Sequence, residues 1–203
     1  MITHNIYLLS ISGSKWVNGC AASVLSKNVL MTAAHCIRGH SNDSEFQIML
    51  GQSDLNAENP TNYQQVIDIS HVEPHPDYDN VSAYYDIGLI FTQEDIEFNI
   101  VTQPLCLSDQ THSDTIFLND KSVYLAGWGR GNPLKKHRDE SSLRQIQLTV
   151  FSQDYCYDKY DISGGSDASK QRQKFLPNKF TDQNICAGSL VRLAPTLFLI
   201  MIF

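Results

Sequence analysis

Apolar residues in this chain gather in short runs with turn residues between them. Val24-Leu25 and then Val29-Leu30-Met31 form an apolar, β-branched stretch that reads as strand and stops at Thr32. Similar runs follow at Phe46 to Leu50, Tyr63 to Ile69, Ile87 to Phe91, Val123 to Ala126 and Leu143 to Phe151. Many short strands at this spacing predict an all-β protein. Pro74, Pro76, Pro104 and Pro133 fall between the runs, where a missing backbone N–H does no harm. The polar stretch Ser108 to Lys121 reads as a crossing between two lobes, residues 1–107 and 122–188. Asp161 to Lys174, rich in Ser, Gly, Asp, Lys and Gln, reads as a long surface insertion. Residues 189–203 read as an apolar tail unrelated to the strands before it.

Composition narrows the class. At 203 residues, 42% hydrophobic and 18% charged, the chain is an ordinary globular protein with enough length for a substantial core. A net charge of −7 argues against a general nucleic-acid binder, because phosphate contacts need a basic surface. The one dense basic stretch, Lys135-Lys136-His137-Arg138, is flanked by Gly131, Pro133 and Asp139-Glu140 and reads as a solvated loop. The N-terminal apolar run, Ile6 to Leu9, is too short for a signal-peptide core and lacks a basic region before it. Even counted from Leu190, the apolar C-terminal stretch includes Arg192 and Pro195 and falls short of the ~20 residues of a membrane-spanning helix. No membrane span is expected.

The five cysteines are widely spaced and contain no C-x-x-C pair, so they do not read as a zinc site. They fit disulfides and an oxidising compartment. No metal and no cofactor is predicted.

Candidate chemistry lies at Thr32-Ala33-Ala34-His35-Cys36, which sets a histidine just past a strand end and beside a cysteine. An imidazole can take up a proton near neutral pH and return it. Downstream, Asp86-Ile87-Gly88-Leu89-Ile90 is an acid followed by apolar residues that would bury it. On composition alone, His35 and Asp86 read as a core histidine and a capping aspartate with no connection. These two motifs, followed in order by Ala126-Gly127-Trp128-Gly129 and Ile185-Cys186-Ala187-Gly188, resemble the trypsin/chymotrypsin-like serine proteases from about residue 7 to Gly188.

The resemblance implies two antiparallel β-barrels, with residues 1–107 as the first and 122–188 as the early part of an incomplete second. It implies serine-type endopeptidase chemistry on protein or peptide substrates, with His35 as general base and Asp86 holding its ring. It also implies an extracellular setting and the disulfides Cys20–Cys36 and Cys156–Cys186. Cys106 is then left over; in many relatives the matching cysteine ties the catalytic domain to an upstream pro-segment.

The chain departs from the family pattern in two places. It contains no Ile/Val-Val-Gly-Gly start, whose freed amine docks inside the folded domain, and no Gly-Asp-Ser-Gly-Gly-Pro segment to carry the nucleophile. Asp161-Ile162-Ser163-Gly164-Gly165 imitates that segment, but it precedes Ile185-Cys186-Ala187-Gly188 and lies within the polar insertion. A flexible loop cannot hold a hydroxyl at attacking distance from a base, so Ser163 is not expected to act. No nucleophile is assigned, and the chain as written is expected to be inactive. Three readings of the missing segment stand: a protease whose transcript continues beyond Gly188, an inactive homologue working as a protein-binding module, and a truncated product without a stable fold.

Other patterns carry less. His71 and His75 are spaced by four, but Pro74 forbids the helix that would point both at one metal, and His75-Pro76-Asp77-Tyr78 matches a structural turn of the family. Gly51-Gln52-Ser53-Asp54-Leu55 resembles the start of the family's calcium loop, but Gln52 stands where an acid is often found. Asn42-Asp43-Ser44 and Asn80-Val81-Ser82 are N-glycosylation sequons, meaningful if the chain is secreted.

Overall fold

The computed structural model describes residues 5–12, 15–17, 20–38, 46–55, 61–80, 84–107, 121–128, 142–152, 154–155, 184–189 and 196–201. Its described elements are strands β1 (Asn5–Ser12), β2 (Lys15–Val17), β3 (Ala21–Val24), β4 (Val29–Thr32), β5 (Phe46–Leu50), β6 (Gln65–Pro74), β7 (Gly88–Thr92), β8 (Ser122–Gly127), β9 (Arg144–Val150), β10 (Asn184–Ser189) and β11 (Thr196–Met201), with one helical turn, α1 (Ala34–Ile37). The fold is all-β.

Seven strands form one antiparallel sheet in the order β2-β1-β3-β4-β7-β6-β5, and β5 pairs back onto β1. That last pairing, with Tyr7 opposite Met49 and Ser10 opposite Phe46, closes the sheet into a barrel. Closure follows from alternation. Ala22 and Val24 on β3, Ile48 and Leu50 on β5, Ile67 and Ile69 on β6, and Ile90 on β7 occupy every second position and turn inward. Leu30 from β4, Ile37 from α1 and Ile96 complete this core. A register shift between Ile69 and His71 marks a bulge in β6, beyond which it follows β7 as far as Pro74 opposite Gly88.

The second barrel is present as an open four-stranded antiparallel sheet, in the order β11-β10-β9-β8. Leu148 and Val150 of β9 and Cys186 and Ala187 of β10 are buried, and the Phe151 N–H donates to the Cys186 carbonyl at 2.8 Å. Contacts divide the chain into two compact units, one of residues 1–78, 86–107 and 126–145, the other of 79–85, 108–125 and 146–203.

Three differences from the sequence reading have physical causes. Pro74 is the last residue of β6 and not part of a loop, a strand end where its missing N–H is tolerated. The segment Asn5–Ser12, read only for its short apolar run, is a full strand because β2, β3 and β5 supply its hydrogen-bond partners. Residues 196–201, read as part of a tail, pair with β10 along its whole length, from Asn184 opposite Met201 to Ser189 opposite Thr196. An apolar run beside an open strand edge satisfies that edge's free backbone groups. Among the described residues no helix is long and apolar enough to cross a membrane.

Candidate active site

His35 lies on the single turn of α1, directly after β4. Thr32 ends that strand fully buried, and its hydroxyl donates to the Ala21 carbonyl at 2.8 Å, tying the end of β4 to the start of β3. Ala33, the residue before the turn, has no side chain able to cap it. The cap comes from Asp86 instead: the His35 backbone N–H donates to Asp86 Oδ1 at 2.7 Å. The other carboxylate oxygen, Oδ2, lies 2.6 Å from His35 Nδ1. Asp86 thus fixes both the backbone and the ring of the same histidine.

A carboxylate can only accept, so this contact suits the tautomer with its proton on Nδ1 and its lone pair on Nε2. The Asp86 side chain is 2% exposed and that of His35 57%, which puts the acid inside and the base at the surface. Nε2 lies 3.4 Å from Cys36 Sγ. Cys36 forms a disulfide with Cys20, the bond expected from the family pattern.

Two features that position Asp86 gave no signal in the sequence. Tyr85, directly before it, has φ of 54°, a left-handed conformation uncommon for a bulky residue. Gly88, two residues after it, has no room for a side chain: a Cβ would meet Ile37 Cδ1 at 2.5 Å, the Glu73 carbonyl oxygen at 3.2 Å and Pro74 Cα at 3.3 Å. β7 therefore runs close against α1 and β6, bringing the acid under the histidine.

Cys186 is disulfide-bonded; its expected partner Cys156 lies outside the described residues, as do Ser163 and Asn42. Asn80 is exposed. Cys106 is a free, exposed thiol. His71 is not gathered into any cluster with His75: its ring stacks on Phe91 at 4.2 Å, with Glu73 3.5 Å from Nε2. His75 serves the turn expected of it, its Nδ1 accepting the Asp77 N–H at 3.1 Å and its carbonyl accepting the Tyr78 N–H at 3.0 Å. Trp128 donates its indole N–H to the Ser53 carbonyl at 3.1 Å.

The model of the family described as Trypsin matches residues 3–193. The chain belongs to the trypsin family. It is 30% identical over 172 residues to the clotting factor G beta subunit of Tachypleus tridentatus, covering 83% of this chain and 50% of that protein. It is 30% identical over 176 residues to serine protease snk of Drosophila melanogaster, covering 87% of this chain and 35% of that protein. Identity to chymotrypsin-like elastase family member 1 of Rattus norvegicus is 31% over 127 residues, 62% of this chain and 45% of that protein. The chain spans half the length of these relatives or less. Strand β11 lies beyond the last residue of the family match.

Proposed function

We propose that this chain carries the proton-transfer half of a serine endopeptidase site that acts on peptide bonds of protein substrates. His35 is the general base and Asp86 its orienting partner. The observation that carries this reading is the two-point grip of Asp86 on His35, at 2.7 Å to the backbone and 2.6 Å to the ring. Such a grip selects the Nδ1–H tautomer, stabilises the imidazolium that forms on proton uptake, and leaves Nε2 to take a proton from a nucleophile.

The chain contains no Gly-Asp-Ser-Gly-Gly-Pro segment to hold a serine opposite Nε2. We therefore assign the 203-residue polypeptide itself no hydrolytic activity. Loss of a triad serine alone lowers turnover about 10⁶-fold. The Cys20–Cys36 disulfide and the family support an extracellular setting. Exposed Cys106 supports a covalent link to another segment or chain.

Proton NMR tests the base assignment: a strongly deshielded Nδ1–H resonance is expected for His35 and should vanish in Asp86→Asn. Its absence from the unsubstituted protein would refute the pairing in solution. A serine-directed fluorophosphonate tests the silent state, and no labelling is expected. Stoichiometric label on a serine, lost on His35→Ala, would overturn it, and label at Ser163 would overturn the exclusion of that residue as a nucleophile.

A further inference from the structure

Cys20 Sγ, Cys36 Sγ and a ring nitrogen of His35 all lie within 4.8 Å of one another. In the oxidised protein the two sulfurs are joined and neither is a thiolate. We propose that reduction of this disulfide turns the cluster into a Cys₂His site for a zinc-class divalent cation, with Cys20, Cys36 and His35 Nε2 as its ligands.

The cluster meets what zinc requires. Thiolate sulfur and neutral imidazole nitrogen are zinc's preferred donors, and a tetrahedral centre sets a sulfur and a nitrogen ligand about 3.5 Å apart. Cys36 Sγ and His35 Nε2 are already 3.4 Å apart. Only the two sulfurs must separate, and the Cα atoms that carry them stand 6.0 Å apart. A ligating histidine normally donates its other ring N–H to a carboxylate, which fixes the tautomer and strengthens the donor. Asp86 already holds that place on Nδ1 at 2.6 Å. The exposure of the His35 side chain, 57%, gives the ion a way in and leaves a fourth coordination position for water. Sequence spacing hides the site, since Cys20 reaches the His35-Cys36 pair only through the strand–turn path of β3, β4 and α1.

The step needs a reductant, and a dithiol supplies it. One thiolate of the dithiol bonds to Cys20 Sγ while the Cys20–Cys36 bond breaks and its electron pair leaves on Cys36 Sγ. The second thiolate then displaces Cys20 Sγ and closes the reductant's own disulfide. Two electrons have passed to the protein. Both cysteine sulfurs then bind the cation as thiolates, the dithiol's two protons having gone to solvent. Metal on Nε2 occupies the nitrogen that the proposed proton transfer uses, so the reduced, metal-bound protein could not use His35 as a base.

Cobalt(II) is the probe, added to the full chain with and without dithiol treatment. The expected result is a thiolate-to-cobalt charge-transfer band with tetrahedral d–d absorption at one equivalent, absent from the oxidised protein and displaced by zinc. Cys106→Ser should retain it. Cys36→Ser should abolish it, His35→Ala should weaken binding at least ~10-fold, and Asp86→Asn should weaken it by ~10-fold or more. Near-ultraviolet circular dichroism, followed in the same sample, reports whether the barrel survives reduction. The proposal fails if the folded, reduced protein gives no such band, if His35→Ala binds as tightly as the unsubstituted protein, or if reduction collapses the near-ultraviolet signal and the thiols are no longer held together.

Discussion

Asp86 has a structural role as well as a proposed chemical one, and the two can be separated by measurement. Its buried carboxylate accepts the His35 N–H that the short α1 turn, preceded by an alanine, cannot otherwise satisfy. Asp86→Ala should therefore lower stability by about 2–3 kcal/mol, the scale of a lost hydrogen bond to a charged group with an N–H left unpartnered. Urea unfolding that leaves the midpoint unchanged would contradict this role. Thr102 offers the opposite case. It is 2% exposed, and its hydroxyl has no hydrogen-bond partner among the described residues. The backbone around it is already held, since the Asn99 side chain accepts the Val101 and Thr102 N–H groups at 2.9 and 3.0 Å. Thr102→Val removes an unsatisfied buried hydroxyl and should raise stability by up to about 1 kcal/mol. A loss of that size by thermal melting would reveal a partner for the hydroxyl.

At the scale of elements, the site depends on how closely β7 passes α1 and β6. Gly88 begins β7 at the point of closest approach, with Ile37 Cδ1, the Glu73 carbonyl and Pro74 Cα around its missing side chain. Ile37 is 1% exposed and has nowhere to retreat. Gly88→Ala should destabilise the protein by about 1–3 kcal/mol through overpacking. It should also disturb the His35–Asp86 hydrogen bonds, because Asp86 enters from the same strand end. A melting temperature equal to that of the unsubstituted protein, with the His35 Nδ1–H resonance unshifted, would show that β7 has slack that the structure does not reveal. Gly51 is constrained differently: its φ of +72° is left-handed, and a Cβ would fall 2.0 Å from the Tyr63 carbonyl oxygen. Only glycine fits that turn after β5.

For the whole molecule, the barrel is held by ring closure and by one covalent staple. The closing pair β1–β5 joins strands far apart in sequence, and Cys20–Cys36 ties the start of β3 to α1. Replacing both cysteines by alanine removes a loop constraint of 16 residues and should cost about 3 kcal/mol in chain entropy. Urea titration of the double variant checks this, and an unchanged midpoint would mean that β3, β4 and α1 are held by packing alone. The four-stranded sheet is less well covered. Tyr124 and Leu125 of β8 and Ile146 of β9 are at least 40% exposed, although Leu148 and Val150 further along β9 are buried.

The sequence by itself determined the all-β class and the family, and the family resemblance then implied the roles of His35 and Asp86 and the pairing of Cys20 with Cys36. Class and family rest on local signals: apolar alternation, turn residues, and motifs whose residues are near neighbours in the chain. It located β5 to the residue and β9 within a residue at either end. It did not reveal β1 as a full strand or β11 as a strand at all, because a strand exists only where another edge satisfies its backbone, and those edges come from distant segments. Nor did it give the left-handed Tyr85 or the crowding at Gly88, which follow from where β7 is forced to lie. Tertiary structure alone brought Asp86 to both the ring and the backbone of His35, and Cys36 Sγ to its Nε2. The first depends on the pairing of β4 with β7, which joins residues 51 positions apart in the chain, and the second on how the α1 turn sets two neighbouring side chains.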